Sequence, residues 1–299
     1  MPQTPSIGFI GFGEAGYHIG KGLREADAAS IFAYDIAWRQ PGRGERIRRR
    51  AEDAGITLVG SPAELARNSD VLLSLVTAAS AAEAASQNAP FLRPNHIYAD
   101  LNSVSPALKR RIAETISAAG SRYVEAAILA PVPPQGHRVP ILVNGPHEKA
   151  FVEQMAPLGM RLEALSAGIG AAAAVKMCRS IVVKGLEALL LECVLGASRY
   201  GAEERVFASL AQSYPGMQWK ELAWYMIDRV FEHGERRARE MNEVADTLRA
   251  AGIEPIMSEA AAARQDWRRT LGIAEGSGPR DARELVELLR QSGVRETED

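Results

Sequence analysis

Cysteine is scarce in this chain. Cys178 and Cys193 are the only two in 299 residues. They fall fifteen positions apart within one expected helix, too far along its axis to bridge each other. A disulfide-stapled scaffold is therefore excluded, and a reducing, cytoplasmic compartment is expected. Charge of one sign is also lacking. The formal net charge is −2, so nothing points to nucleic acid or a membrane surface as a partner. No apolar run reaches membrane-spanning length, and no charged segment followed by an apolar one opens the chain as a secretory leader would. Histidines are few and scattered, at 18, 96, 137, 147 and 233, with no ligand spacing that suggests a metal.

What is present is concentrated near the N-terminus. A short apolar run, Ile7 to Ile10, enters Gly11-x-Gly13-x-x-Gly16, and helix-compatible sequence follows. Gly11 suits a tight turn out of a strand. Gly13 lets backbone approach a pyrophosphate, and Gly16 lets the next helix pack close to the sheet. The helix start offers unpaired N–H groups and the positive end of a dipole to phosphate. A second strand candidate, Ile31 to Tyr34, ends in Asp35, nineteen residues beyond Gly16, where a ribose-binding carboxylate is expected. Asp35 favours NAD over NADP, because a carboxylate repels a 2′-phosphate. Arg39, Arg43, Arg46, Arg48, Arg49 and Arg50 follow directly. They read either as a solvated helix face or as a 2′-phosphate pocket, so NADP stays possible.

The first half alternates apolar runs with helix-like segments. Strands are expected at 6–11, 30–35, 70–76, 96–101, 122–128 and 139–144, and helices at 14–26, 44–54, 61–67, 79–87, 105–119 and 146–156. That order implies a doubly wound, mostly parallel sheet. The last two strands have no helix between them and are joined by a proline-rich, hairpin-type connection. Strand patterns stop near residue 165. Helices are expected at 171–199, 202–213, 218–231, 234–251, 256–270 and 281–292, followed by a frayed polar tail ending at Asp299. The expected division is an α/β domain over 1–166 and an all-α domain over 167–299. The long helix after Gly170 carries more apolar surface than a lone hairpin covers, so a homodimer is expected.

These stretches resemble, in order, the β-hydroxyacid dehydrogenase and 6-phosphogluconate dehydrogenase superfamily, over roughly the first 200 residues. Gly8 to Gly16 matches the opening cofactor motif, and Val71 to Thr77 the strand and loop over the nicotinamide. Asp100 to Pro106 matches the next strand-end element. Gly168-Ile169-Gly170, followed by Lys176, matches the start of the catalytic helix. Phe231 to Met241 looks like a branch whose helical C-terminal domain has no assigned function. The resemblance implies a Rossmann domain binding NAD through Gly11, Gly13, Glu14, Ala15, Gly16, Asp35, Val76, Thr77 and Asn102. It implies Lys176 as the group that exchanges a proton with a substrate hydroxyl. Small apolar neighbours and a place near a helix start both favour a lowered lysine pKa there.

Departures from the family pattern are as telling. The substrate loop usually reads Asp-Ala-Pro-Val-Ser-Gly-Gly; here it is Glu125-Ala126-Ala127-Ile128-Leu129-Ala130-Pro131. Leu129 has no hydroxyl and Pro131 no backbone N–H, so an anion cradle becomes an apolar wall, and a bulkier or more apolar small-molecule substrate is expected. Ser180 stands where the family has asparagine. Ser103 follows Asn102 at the strand end. In the helical half, His233, Arg236, Arg237 and Glu240 have the spacing of one helix face, and Arg239 aligns with the family's cleft-closing lysine. His233, Arg236 and Arg239 are therefore candidate substrate anchors, with a solvent face laced by ion pairs as the alternative. The activity expected is interconversion of a secondary alcohol and a ketone. An imine reductase or a non-catalytic dinucleotide sensor remain as other readings.

Overall fold

The computed structural model describes residues 4–28, 30–274, 276 and 278–292. Its opening strand β1 (Ile7–Ile10) is buried throughout, as an apolar run covered on both faces must be. Then come α1 (Glu14–Glu25), β2 (Ile31–Tyr34), α2 (Arg43–Asp53), β3 (Thr57–Leu58), α3 (Pro62–Asn68), β4 (Val71–Ser74) and α4 (Ala81–Asn88). They are followed by β5 (Ile97–Asp100), α5 (Pro106–Ala118), β6 (Arg122–Ile128), β7 (Ile141–Asn144), α6 (Glu148–Met155) and β8 (Leu162–Ala164). The helix starts are written locally. Ser61 accepts from the N–H of Glu64 to open α3, and Ser105, followed by Pro106, does the same for α5 from Leu108.

The strands form one sheet in the order β3-β2-β1-β4-β5-β6-β7-β8. Among the described residues only β6 and β7 run antiparallel to each other; the remaining neighbours are parallel. β3 and β8 are absent from the sequence-based expectation. They span two and three residues at the sheet's edges, too short to carry an alternation of apolar and polar positions. The sheet separates two cores. Phe9, Phe12, Ile19, Leu23 and Phe151 lie on one side, and Ile10, Leu65, Leu72, Tyr98 and Tyr123 on the other.

The chain divides into two units, Met1–Lys176 and Met177–Asp299. Helix α7 (Ala171–Arg199) begins in the first and continues in the second. The second unit adds α8 (Glu203–Ser213), α9 (Trp219–Ala250), α10 (Ile256–Thr270) and α11 (Ala282–Gln291). Leu191, Ile227, Phe231 and Leu285 form its main core. The two helices expected at 218–231 and 234–251 are one element with a kink at His233, whose φ of −138° and ψ of 16° leave the helical region. The kink adjoins a close approach: a Cβ at Gly234 would sit 2.3 Å from the carbonyl oxygen of Gln265 on α10. The tail expected to fray, 293–299, lies outside the described residues. Among the described residues the architecture is a Rossmann-type α/β domain followed by helices alone.

Candidate functional site

The turn from β1 into α1 explains its glycines one by one. Gly11 has φ +84°, and a Cβ there would meet the Leu75 carbonyl oxygen and Val76 Cγ1, both at 2.7 Å. At Gly16 a Cβ would stand 3.0 Å from the Gly11 carbonyl oxygen, so helix and strand close together only without one. Gly13 differs. A Cβ there would meet nothing within 4 Å, so no protein atom demands a glycine. Its bareness leaves room on the open side of the turn, where it begins α1 with no side-chain cap. Glu14 is exposed and Ala15 half-buried. Asp35 braces the turn from behind: one carboxylate oxygen accepts from Phe12 N–H (2.8 Å), the other from Ala37 N–H (2.9 Å). The sheet order reverses between β1 and β4, so a crevice opens at the carboxyl ends of these strands.

Val76 and Thr77 form the crevice's other lip, and Asn102 holds it. The Asn102 side chain is 4% exposed. Its Oδ1 accepts from Val76 N–H (2.7 Å), and its Nδ2 donates to Ser74 Oγ (2.9 Å) and Asp100 Oδ1 (2.8 Å). Both amide protons are spent inside the protein. Ser103 beside it is exposed. Below lies a buried ion pair that sequence reasoning missed: Lys109 Nζ stands 3.1 Å from Asp100 Oδ1, with the side chains 1% and 0% exposed. Tyr123 donates to Asp100 Oδ2 (3.2 Å). Burial, reinforced by the Asp100 and Glu125 carboxylates, pushes the Tyr123 phenol far up, so it stays a donor.

Ser74 and Asp100 belong to a row that crosses the sheet. Sheet register pairs Ile10 with Ser74, Ser74 with Asp100, Asp100 with Glu125, and Glu125 with Asn144. The row begins just before Gly11 and ends at the start of α7. Glu125, fully buried, accepts from Gly170 N–H (2.7 Å), Ala173 N–H (2.8 Å) and Asn144 Nδ2 (3.0 Å). Lys176, half-buried, follows Ala173 by one turn of α7. Leu129 joins Ala127, Leu142, Leu165 and Ala172 in a small apolar cluster, so the altered loop packs on the first turn of α7. Ala130 packs toward the main core, and Pro131 is exposed. A separate cleft of about 820 Å³ lies beside the C-terminal half of α1, lined by His18, Lys21, Arg138 and Arg161 among others, away from the glycine turn.

The helical unit treats its candidates differently. Ser180 Oγ accepts from Lys184 Nζ (3.0 Å). Arg236 pairs with Glu240 (2.8 Å), Arg239 with Glu235, and His233 lies 3.3 Å from Glu232. Burial, with Arg229 and Arg236 beside it, holds the His233 imidazole below its usual value. Of the face expected for His233, Arg236, Arg237 and Glu240, the kink sets His233 apart, while Arg237 pairs with buried Glu187 (2.8 Å), which Gln265 also contacts (2.9 Å), and Glu240 pairs with Lys184 (2.9 Å), Glu187 and Lys184 both lying on α7. Burial raises the Glu187 carboxyl above its ordinary value despite Arg237.

Comparison with known proteins gives this geometry a family. Residues 6–154 match the NAD binding domain of 6-phosphogluconate dehydrogenase, and residues 197–267 match a domain of unknown function, DUF1932. A conserved hypothetical protein from Sinorhizobium meliloti 1021 is 37% identical over 97% of both chains, with a TM-score of 0.81. The chain belongs to the β-hydroxyacid dehydrogenase and 6-phosphogluconate dehydrogenase superfamily. Within the superfamily it is 25% identical to a mitochondrial 3-hydroxyisobutyrate dehydrogenase of Drosophila melanogaster, over 72% of this chain and 65% of that one. A Mycobacterium tuberculosis 3-hydroxyisobutyrate dehydrogenase solved with L-serine shares the fold at 16% identity, covering 96% of this chain and 99% of that one, with a TM-score of 0.75. The cofactor is a nicotinamide dinucleotide. The open side of Gly13 and the uncapped start of α1 fit its pyrophosphate.

Proposed function

We propose that this protein interconverts a secondary alcohol and a ketone on a small, partly apolar substrate, using NAD or NADP, with Lys176 as the general acid and base. The observation that supports this most strongly is the register row. It ties the glycine turn to the first turn of α7 across three strand spacings from Ile10 to Glu125, about 14 Å. The helix bearing Lys176 therefore starts at the sheet edge where the crevice opens. When bound, the nicotinamide accepts or returns hydride. The Gly11–Gly16 turn and the α1 amides would hold the pyrophosphate, and Asp35, which braces the turn, would offer its remaining lone pairs to a ribose hydroxyl. Asn102 works through Val76 by fixing the loop. During oxidation, Lys176 takes the hydroxyl proton as the carbon loses hydride; during reduction it gives the proton back. Leu129 and Pro131 present an apolar surface to the substrate.

The apolar stripe on α7 supports a homodimer. Val175, Val182 and Leu189 recur every seven residues and are 41%, 70% and 55% exposed, a spacing that keeps them on one side of a helix. Turnover decides the central reading. A panel of hydroxy acids and secondary alcohols, assayed with NAD and with NADP, should yield reduced nicotinamide with the wild type and none with Lys176→Met. The variant should keep its affinity for NADH. A Lys176→Met enzyme of wild-type rate would end the proposal.

A further inference from the structure

Glu125 is a wholly buried carboxylate flanked by Val124 and Ala126 in strand β6, and proton and hydride transfer make no direct use of it. Its partners reveal another task. The first N–H groups of a helix have no partner inside it and are usually met by a side chain at the helix's own start. At the start of helix α7 that place is taken by Gly170, which has no side chain. Gly170 precedes it with φ +103°, and a Cβ there would fall 2.8 Å from Arg110 Nη1 and 3.1 Å from Pro106 Cβ. A capping side chain at that position is excluded by strain and by space. The cap is imported instead from β6: Glu125 accepts from Gly170 N–H and Ala173 N–H, 45 and 48 residues away in sequence. Asn144, its register neighbour on β7, completes the clamp. Its Nδ2 reaches Glu125 and the Gly168 carbonyl, while its Oδ1 accepts from Ala167 N–H (2.9 Å).

We propose that Glu125 is a positioning residue for Lys176, fixing the first turn of α7 to the sheet so that the lysine is held in one place relative to the glycine crevice. This rests on the reading of Lys176 as the proton carrier. Side chains on a helix lean back toward its N-terminus, so Lys176 slants over the turn that Glu125 holds. A carboxylate is also the charge that the positive end of a helix favours. Glutamine cannot substitute. Its single oxygen meets one of the two N–H groups, and its NH₂ faces the other, donor against donor.

The chain has six lysines, at 21, 109, 149, 176, 184 and 220, few enough to follow individually. Reductive ¹³C-methylation gives each accessible lysine a signal, and the one lost in Lys176→Arg is that of Lys176. In Glu125→Gln the Lys176 signal should shift and sharpen while the other signals stay in place. The Gly170 and Ala173 amides should exchange with solvent faster by on the order of tenfold. A folded Glu125→Gln protein with an unchanged Lys176 signal and unchanged exchange would overturn the proposal. Should that variant fail to fold, Asn144→Ala carries the test. It keeps the carboxylate, removes one donor to it and opens the Ala167–Gly168 clamp, and the same two outcomes decide. Turnover of Lys176→Met answers separately: if that enzyme remains active, the lysine loses its catalytic role while the signal still reports whether Glu125 positions it.

Discussion

Replacing Asn102 by alanine probes the crevice at the point where the structure is most explicit. The substitution leaves the backbone N–H of residue 102 bound to Asp100 Oδ1 (3.0 Å) but removes three side-chain hydrogen bonds, to Val76 N–H, Ser74 Oγ and Asp100 Oδ1. Each such bond contributes about 1 kcal/mol net, and a buried group left unpaired costs about 1–3 kcal/mol. Asp100 keeps Lys109 and Tyr123, and the Ser74 hydroxyl can rotate. The Val76 amide is the group that suffers. Water entering the vacated space offsets part of the loss, leaving a destabilisation of about 2–3 kcal/mol. Urea denaturation followed by circular dichroism measures it. With the loop that Val76 anchors proposed to border the dinucleotide, NADH affinity, followed by nicotinamide fluorescence, should fall by about tenfold, equivalent to about 1.4 kcal/mol. A variant within about 0.5 kcal/mol of wild type, the range of ordinary surface substitutions, with unchanged NADH affinity would refute the view of Asn102 as the brace of this lip.

Three further outcomes are expected. Gly11→Ala should lose NADH binding by fluorescence titration and about 1–3 kcal/mol of stability, because a Cβ at φ +84° would stand 2.7 Å from the Leu75 carbonyl oxygen. Gly22→Ala should lower the melting temperature sharply, since its Cβ would lie 2.0 Å from His137 Nδ1, while Gly159 closes the other edge of the ring; adding His137→Ala should restore part of the loss. Asp70 gives a pH signature. Burial pushes its carboxyl up, but the Ser6 hydroxyl and N–H, with His96 and Arg93 nearby, hold it below the usual carboxylate value. A group whose folded pKa is depressed stabilises the protein above its unfolded value, and that contribution is lost as pH falls through the folded value. Asp70→Asn should therefore flatten the melting-temperature profile below about pH 4, and an acid limb parallel to wild type would contradict this.

Much of this molecule could be read from its sequence because the signals were local. Three glycines, the acid at the end of β2 and the alternation of apolar runs with helices each act over a few residues, and the structure gives each of those glycines a distinct neighbour or an open face. The parts that could not be read depend on partners far apart. Glu125 finds its donors 45 and 48 residues on, and Lys109 ends under Asp100 only because α5 folds back on the sheet. A carboxylate flanked by Val124 and Ala126 was the available signal. Charge buried between apolar strand neighbours requires a buried partner, although nothing local says which. On α9 the helical spacing left two readings open, substrate anchors or a face laced by ion pairs. It could not foresee the kink at His233, and the acids Glu232, Glu235 and Glu240 lie within one turn of His233, Arg239 and Arg236.

The gap between coenzyme and lysine tests the central claim most directly. In a crystal of the protein with bound dinucleotide, the nicotinamide C4 and Lys176 Nζ should face each other about 5–7 Å apart, room for a substrate carbon near C4 and its oxygen within hydrogen-bond reach of the amine. A Lys176 amine on the outer surface, or separated from the ring by protein atoms, would contradict it.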